Sequence, residues 1–240
     1  MTALIRGELI KVRTTRTALG FALTILALTL LWVLLSILTG DPQTLTEKQD
    51  AINVSPLPLA IPLLIYGVVG ATGEYRHRTL APAVLIAPDR VRLTLARLIA
   101  YVLTALAIAA VTIALTLLIA LPLLSGKPGP DLAGDDIRRM VVGTLIASAL
   151  SMALGVGVGL LVKNQVAAVV GTLVWIMIGV QLIQLIDEDL PHYATPEATV
   201  ALGGSDVDEV SWSKGLIVML VWTAVFVVAG FLAERRRDVD

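Results

Sequence analysis

Residues 98–124 read LIAYVLTALAIAAVTIALTLLIALPLL, a run of 27 residues without one Asp, Glu, Lys, Arg or His. A bilayer core of roughly 30 Å is crossed by about 20 apolar residues in a helix, so this run is long enough to span. Four others match it: 18–38, 140–162, 166–186 and 215–233. A sixth, 57–72, is shorter and opens in the proline cluster Pro56, Pro58 and Pro62. Prolines fit the first turn of a helix, where N–H groups lack intrahelical partners anyway. Pro62 is deeper, where it kinks the helix or delays its start. The pattern predicts an all-α membrane protein with six transmembrane helices, preceded by segment 1–17 and followed by a short tail, 234–240.

Composition agrees. The chain is 57% hydrophobic and 15% charged, against about 25% charged in an ordinary soluble domain, and its charges fall between the apolar runs. The first run is not the signature of a cleaved signal peptide. Its apolar core exceeds the roughly 7–15 residues of a signal h-region, and Thr39-Gly40-Asp41-Pro42 follows instead of a small-residue cleavage site. With no cysteine, disulfides, thiolate metal sites and a cysteine nucleophile are excluded. The two histidines, His77 and His192, fall on opposite predicted faces, which argues against metal catalysis.

Orientation follows from Lys and Arg, which concentrate on the cytoplasmic side of membrane proteins. One side carries Arg6, Lys11, Arg13 and Arg16, then Arg76, Arg78, Arg90, Arg92 and Arg97, then Lys163 and Arg235 to Arg237. The other carries Lys48, Lys127, Arg138, Arg139 and Lys214, and its loop 187–214 is strongly acidic. Both termini are therefore predicted in the cytoplasm. Within Thr2 to Thr17, Leu4, Ile5, Leu9 and Val12 fall on one helical arc. Arg6 and Arg13 lie off it, but Glu8 falls inside the arc and Ile10 outside. A basic amphipathic helix on an anionic leaflet has this pattern; so does simple positive flanking.

The spans hold no Asp, Glu, Lys, Arg or His of the kind that carries a coupling ion or proton. Gln181 and Gln184, three residues apart on one face, are the strongest polar candidates, either lining a substrate path or bonding a neighbouring helix. No H-E-x-x-H, G-x-S-x-G or P-loop is present; the one Gly-Lys pair, Gly126-Lys127, is followed by Pro128. Gly155, Gly157 and Gly159 lack the spacing and the strand of a nucleotide fingerprint. Gly155 and Gly159 form a small-xxx-small face suited to close helix packing, and Gly67, Gly70 and Gly73 repeat the theme. The chain is thus expected to be no enzyme and to hold no cofactor or metal.

Segment 73–97, GEYRHRTLAPAVLIAPDRVRLTLAR, is too apolar in its middle for an ordinary linker. Thr79 to Ala87 is bounded by Pro82 and Pro88, and Leu80, Val84 and Leu85 give it one apolar face. Such a helix docks in a partner's groove or rests on lipid with its arginines on phosphates; the residues alone leave both open.

Several features in order resemble the permease subunit of an ABC-2 type ABC exporter. They are Glu8-x-x-Lys11 with basic residues after it, Gly73-Glu74-Tyr75-Arg76-x-x-Thr79-Leu80, Ala87-Pro88-x-Arg90, Leu95-Ala96-Arg97, and the tight turn Lys163-Asn164-Gln165 before Val166-Ala167-Ala168. The resemblance covers nearly the whole chain. Arg97 stands where lysine is common, and Pro82 interrupts the segment. The resemblance implies a half-transporter that pairs with a second copy, in contact with membrane lipid and with no nucleic-acid partner. A separate ABC ATP-binding subunit would supply ATP and Mg. It implies a coupling helix at Thr79 to Ala87, with Glu74, Arg76, Arg78, Thr79, Leu80, Val84, Leu85, Pro88 and Arg90 meeting that partner. It also implies an elbow helix bearing Glu8 and Lys11, and short re-entrant helices around Leu190 to Tyr193. The expected location is a bacterial cytoplasmic membrane. Other classes left open are a passive scaffold or assembly factor, an uncoupled channel and an ion-coupled carrier.

Overall fold

The computed structural model describes residues 1–76, 90–185, 190–204 and 210–235. Ten α-helices follow in chain order among them: α1 (Thr2–Thr14), α2 (Arg16–Gly40), α3 (Leu45–Ile52), α4 (Ile61–Arg76), α5 (Arg90–Ser125), α6 (Gly134–Val162), α7 (Gln165–Val174), α8 (Val180–Gln184), α9 (Thr195–Leu202) and α10 (Trp212–Arg235). A π-helical turn, Ser55–Ala60, leads into α4; a second, Trp175–Gly179, joins α7 to α8; and a 3₁₀ turn, Leu190–Tyr193, precedes α9. No β-strand occurs among the described residues.

Five helical stretches are long and apolar enough to cross a membrane: Arg16–Gly40, Val91–Ser125, Gly134–Val162, Gln165–Leu182 and Trp212–Arg235. Their outward faces are apolar, with Leu19, Leu35, Leu118, Val166, Met177, Val221 and Val225 exposed. A helix bundle that turns leucine and valine outward is built for a lipid solvent. The protein is a multi-pass membrane protein.

The short run expected at 57–72 takes a more specific form. Pro58 lies inside the π turn, and α-helical geometry begins at Ile61 with Pro62 in the first turn. A proline cannot donate to the carbonyl four residues back and crowds it, so the wide turn absorbs Pro58 and the regular ladder starts later than position 57. From there α4 is packed inside the bundle, with Leu63, Leu64, Tyr66, Val68 and Ala71 buried.

The central helix is α6. Of its most apolar window 61% is buried, against 11–28% for the other four long stretches. Glycines explain how its neighbours approach. A Cβ on Gly67 of α4 would lie 2.5 Å from the Met152 carbonyl oxygen, and one on Gly155 would strike the Leu64 carbonyl. A Cβ on Gly159 would come within 2.7 Å of Ala71 Cβ. On the opposite side Gly157 faces the Phe226 backbone, and Gly230 of α10 faces the Gly157 carbonyl at 2.8 Å. Backbones meet backbones only where side chains are missing, and contact of this kind holds helices together in lipid, where burial of apolar surface gives no preference. Gly70 accommodates the Tyr101 ring, whereas Gly73 faces open space and takes no part in the seam. Short α9 is wedged between α6 and α10 by the same device: Gly143 meets the Leu202 carbonyl, and Gly215 meets that of Ala198 at 2.8 Å.

Candidate functional site

The expected coupling residues Arg78, Thr79, Leu80, Val84, Leu85 and Pro88 lie outside the described residues. Glu74 and Arg76 close α4, and Arg90 opens α5, as backbone positions. Segment 77–89 is therefore bracketed by two helices that enter the bundle.

Helix α1 packs along α5. Its inward side carries Val12 and Glu8, both buried, while Ile10 is 55% exposed. The placement of Glu8 inside the apolar arc is thus followed literally. Its carboxylate accepts a 2.9 Å hydrogen bond from Lys11 Nζ one turn on, so the charge is compensated where it approaches the bundle. Arg6 and Arg13 are exposed.

Gln181 is exposed on α8, and the Gln184 side chain lies outside the description. The expected span 166–186 is not one regular helix. At Trp175–Gly179 it widens into the π turn, and a Cβ on Gly179 would come within 2.7 Å of the Trp175 ring. Such single-turn π segments recur at functional sites. Here the turn presents Trp175 toward α10, where its ring lies 5.9 Å from Trp222, which in turn stacks on Phe226 at 5.9 Å. Trp222 is fixed from its other edge, because Nε1 donates to the Tyr193 carbonyl at 2.8 Å. Lys214 Nζ lies over the Tyr193 ring at 4.8 Å.

Trp175, Trp222 and Phe226 line a slot of about 330 Å³ between α6, α7 and α10, with Leu64 of α4 also in its wall. Its α6 wall is Leu154, Val158 and Val162, one residue per turn; its α7 wall is small, with Ala167, Ala168, Gly171 and Thr172. Among the described lining residues, only Thr172 and Thr195 bring hydroxyl groups. The slot exists because α7 presents alanine and glycine where a tight bundle would place leucine. That small-residue spacing was present in the sequence, but which way it faced was not.

A wider depression of about 690 Å³ lies at the N-terminal ends of α6 and α10, among Asp135, Asp136, Arg138, Arg139 and Trp212. Its charges alternate, and Arg138 is already paired with Asp135 at 3.2 Å, so it offers no field of one sign. At the same end Lys48 is fully buried. Its ammonium donates to the carbonyls of Lys127 and Gly129 at 3.4 Å each and lies 3.7 Å from Asp131.

No protein-family model matches the sequence, and no curated protein matches it.

Proposed function

We propose that the chain is the transmembrane permease subunit of an ATP-driven exporter of the ABC-2 type. In this reading the run 57–72 is a sixth span and α1 is the elbow helix at the cytoplasmic leaflet. Both termini lie in the cytoplasm of a bacterium. Two copies form the pathway, and segment 77–89 carries the coupling helix that a separate ATP-binding subunit grips.

The observation that carries the reading is the order of its motifs: Glu8-x-x-Lys11, then Gly73-Glu74-Tyr75-Arg76-x-x-Thr79-Leu80, then Lys163-Asn164-Gln165. They occur in a chain with five long apolar helices and no P-loop of its own. The mechanics are reasonable. Segment 77–89 joins the end of α4 to the start of α5, and α4 is seamed to α6 through Gly67, Gly155 and Gly159. A partner that closes on ATP and pulls this segment therefore moves packed helices rather than a loose loop, as domain closure does elsewhere. The charge-free spans leave energy to be supplied from outside the chain.

The test is purification from native membranes in mild detergent with mass spectrometry of what accompanies the chain. A stoichiometric ATPase, lost when Leu80, Val84 and Leu85 are replaced by glutamate, supports the reading. A lone oligomer without ATPase at any salt concentration would favour a scaffold or channel instead.

A further inference from the structure

We propose that one water molecule bridges Thr29 of α2 and Thr116 of α5, a polar rung in an otherwise apolar contact between the two helices. Two rows of buried residues define that contact. On α2 the buried positions recur every fourth residue: Ile25, Thr29, Val33 and Ile37. On α5, which packs against it, Ala109, Ile113, Thr116, Ala120 and Leu124 are buried. Ile25 shares one buried cluster with Ala109 and Ile113, and Val33 and Ile37 share the next with Ala120 and Leu124. Thr29 and Thr116 each fall between these clusters on their own helix. The register agrees with the clasp that joins the C-terminal ends of the two helices. Asp41 and Lys127 meet there across 86 positions, and Thr29 and Thr116 are separated by almost the same interval. Two helices that run back from one clasp with equal rise per residue carry the two threonines at one height.

Both side chains are covered, with Thr29 0% and Thr116 1% exposed, and neither hydroxyl has a hydrogen-bond partner among the described residues. Hydroxyls elsewhere in the bundle behave differently. Thr72 donates to the Val68 carbonyl at 2.7 Å, Thr104 to that of Ala100 at 2.8 Å and Ser148 to that of Thr144 at 2.7 Å, each one turn back on its own helix. Thr29 and Thr116 make no such bond, and their oxygens lie beyond hydrogen-bond distance of each other. A buried hydroxyl left unsatisfied is costly, and hydrocarbon has no solvent to offer it.

Two facing polar atoms separated by more than a direct bond are what a bridging water joins. Water both donates and accepts, as each hydroxyl does. Helix carbonyls keep a second lone pair for the third bond that buried waters typically make. Two neutral hydroxyls without a carboxylate are too few oxygens for a hard cation. The bridge belongs to the bundle itself and holds whether or not an ATPase binds.

The test is a double-mutant cycle on the full chain in detergent, read as thermal midpoints, together with a density map at a resolution that shows ordered water. Thr29→Val and Thr116→Val should each lower the midpoint by about 2–4 °C, the scale of one such contact in a chain of this length. Each leaves the opposite hydroxyl and the water short of a partner. The double variant should lie no lower than either single one, because an apolar pair buries no polar group. Thr29→Ala and Thr116→Ala complete the same cycle if a valine variant is not monodisperse. The wild-type map should show one peak within hydrogen-bond distance of both hydroxyls. Single variants that raise the midpoint, effects that simply add, or a map with the hydroxyls bonded to each other or to their own helix carbonyls would overturn the bridge.

Discussion

Lys127 Nζ lies 2.6 Å from Asp41 Oδ1, joining the end of α2 to the loop after α5 across 86 positions of sequence. The hydrogen bond and charge of Lys127 hold the Asp41 carboxyl below its usual range. Nearby, the backbone N–H groups of Gln43 and Thr44 do the same for Glu47 in the capping box that starts α3. A carboxylate whose folded value is depressed binds fewer protons folded than unfolded. Its contribution is therefore complete above about pH 4 and is lost as pH falls through the lower folded value. Thermal midpoints in detergent should drop below pH 4, and Asp41→Asn should remove part of that dependence while shifting the neutral-pH midpoint only slightly. A pH profile identical to wild type would detach Asp41 from it.

Lys48, beside that clasp, has no exposed surface. Lys48→Ala removes the buried stem as well as the hydrogen bonds to two loop carbonyls, and should cost about 1–3 kcal/mol. Lys48→Met keeps most of the stem and should cost less. If both variants matched wild type in thermal unfolding, the loop junction would not depend on this side chain.

The glycine seam gives a contrast of opposite signs. Gly155→Ala drives a methyl group into the Leu64 carbonyl and should destabilise by about 1–3 kcal/mol, the range for overpacking. Gly20→Ala, where a Cβ meets nothing within 4 Å, should stabilise α2 by about 0.5–1 kcal/mol through helix propensity. Thermal midpoints of the two variants moving in the same direction would show that close approach is not what holds α4 to α6.

The seam was legible in the sequence, because Gly155 and Gly159 recur at helical spacing in an apolar run. The long spans were legible for an equally simple reason: nothing except a bilayer accommodates runs such as 98–124. Helix α3 leaves only a short trace in the sequence. Thr44 and Glu47 are spaced as a capping box, and both reciprocal bonds form, but a short helix between spans carries no apolar period to draw notice. The π turn at Trp175–Gly179 left none, since it depends on how the Trp175 ring packs over Gly179 and against Trp222. The slot followed suit: Ala167, Ala168 and Gly171 read as ordinary apolar helix until α10 supplied the opposite wall. Nor could spacing tell that Gly73 faces open space while Gly67 and Gly70 do not.

Under the proposed function, Glu74 at the end of α4 braces the coupling segment. Glu74→Ala should lower ATP-linked transport by about fivefold or more, the scale of ordinary coupling free energies, while membrane insertion stays at the wild-type level. Both are read from the same vesicles, by transport and by quantitative blotting. Unchanged transport would remove Glu74 from the mechanism.

The absence of cysteine from the whole chain makes the most direct measurement simple: Val84→Cys introduces a single thiol into the expected coupling helix without any background. Membranes treated with a thiol-to-amine crosslinker should yield one adduct between this chain and an ATP-binding protein, altered in yield by ATP. An adduct only with a second copy of the chain, or none while the thiol remains reactive to a small maleimide, would contradict the account.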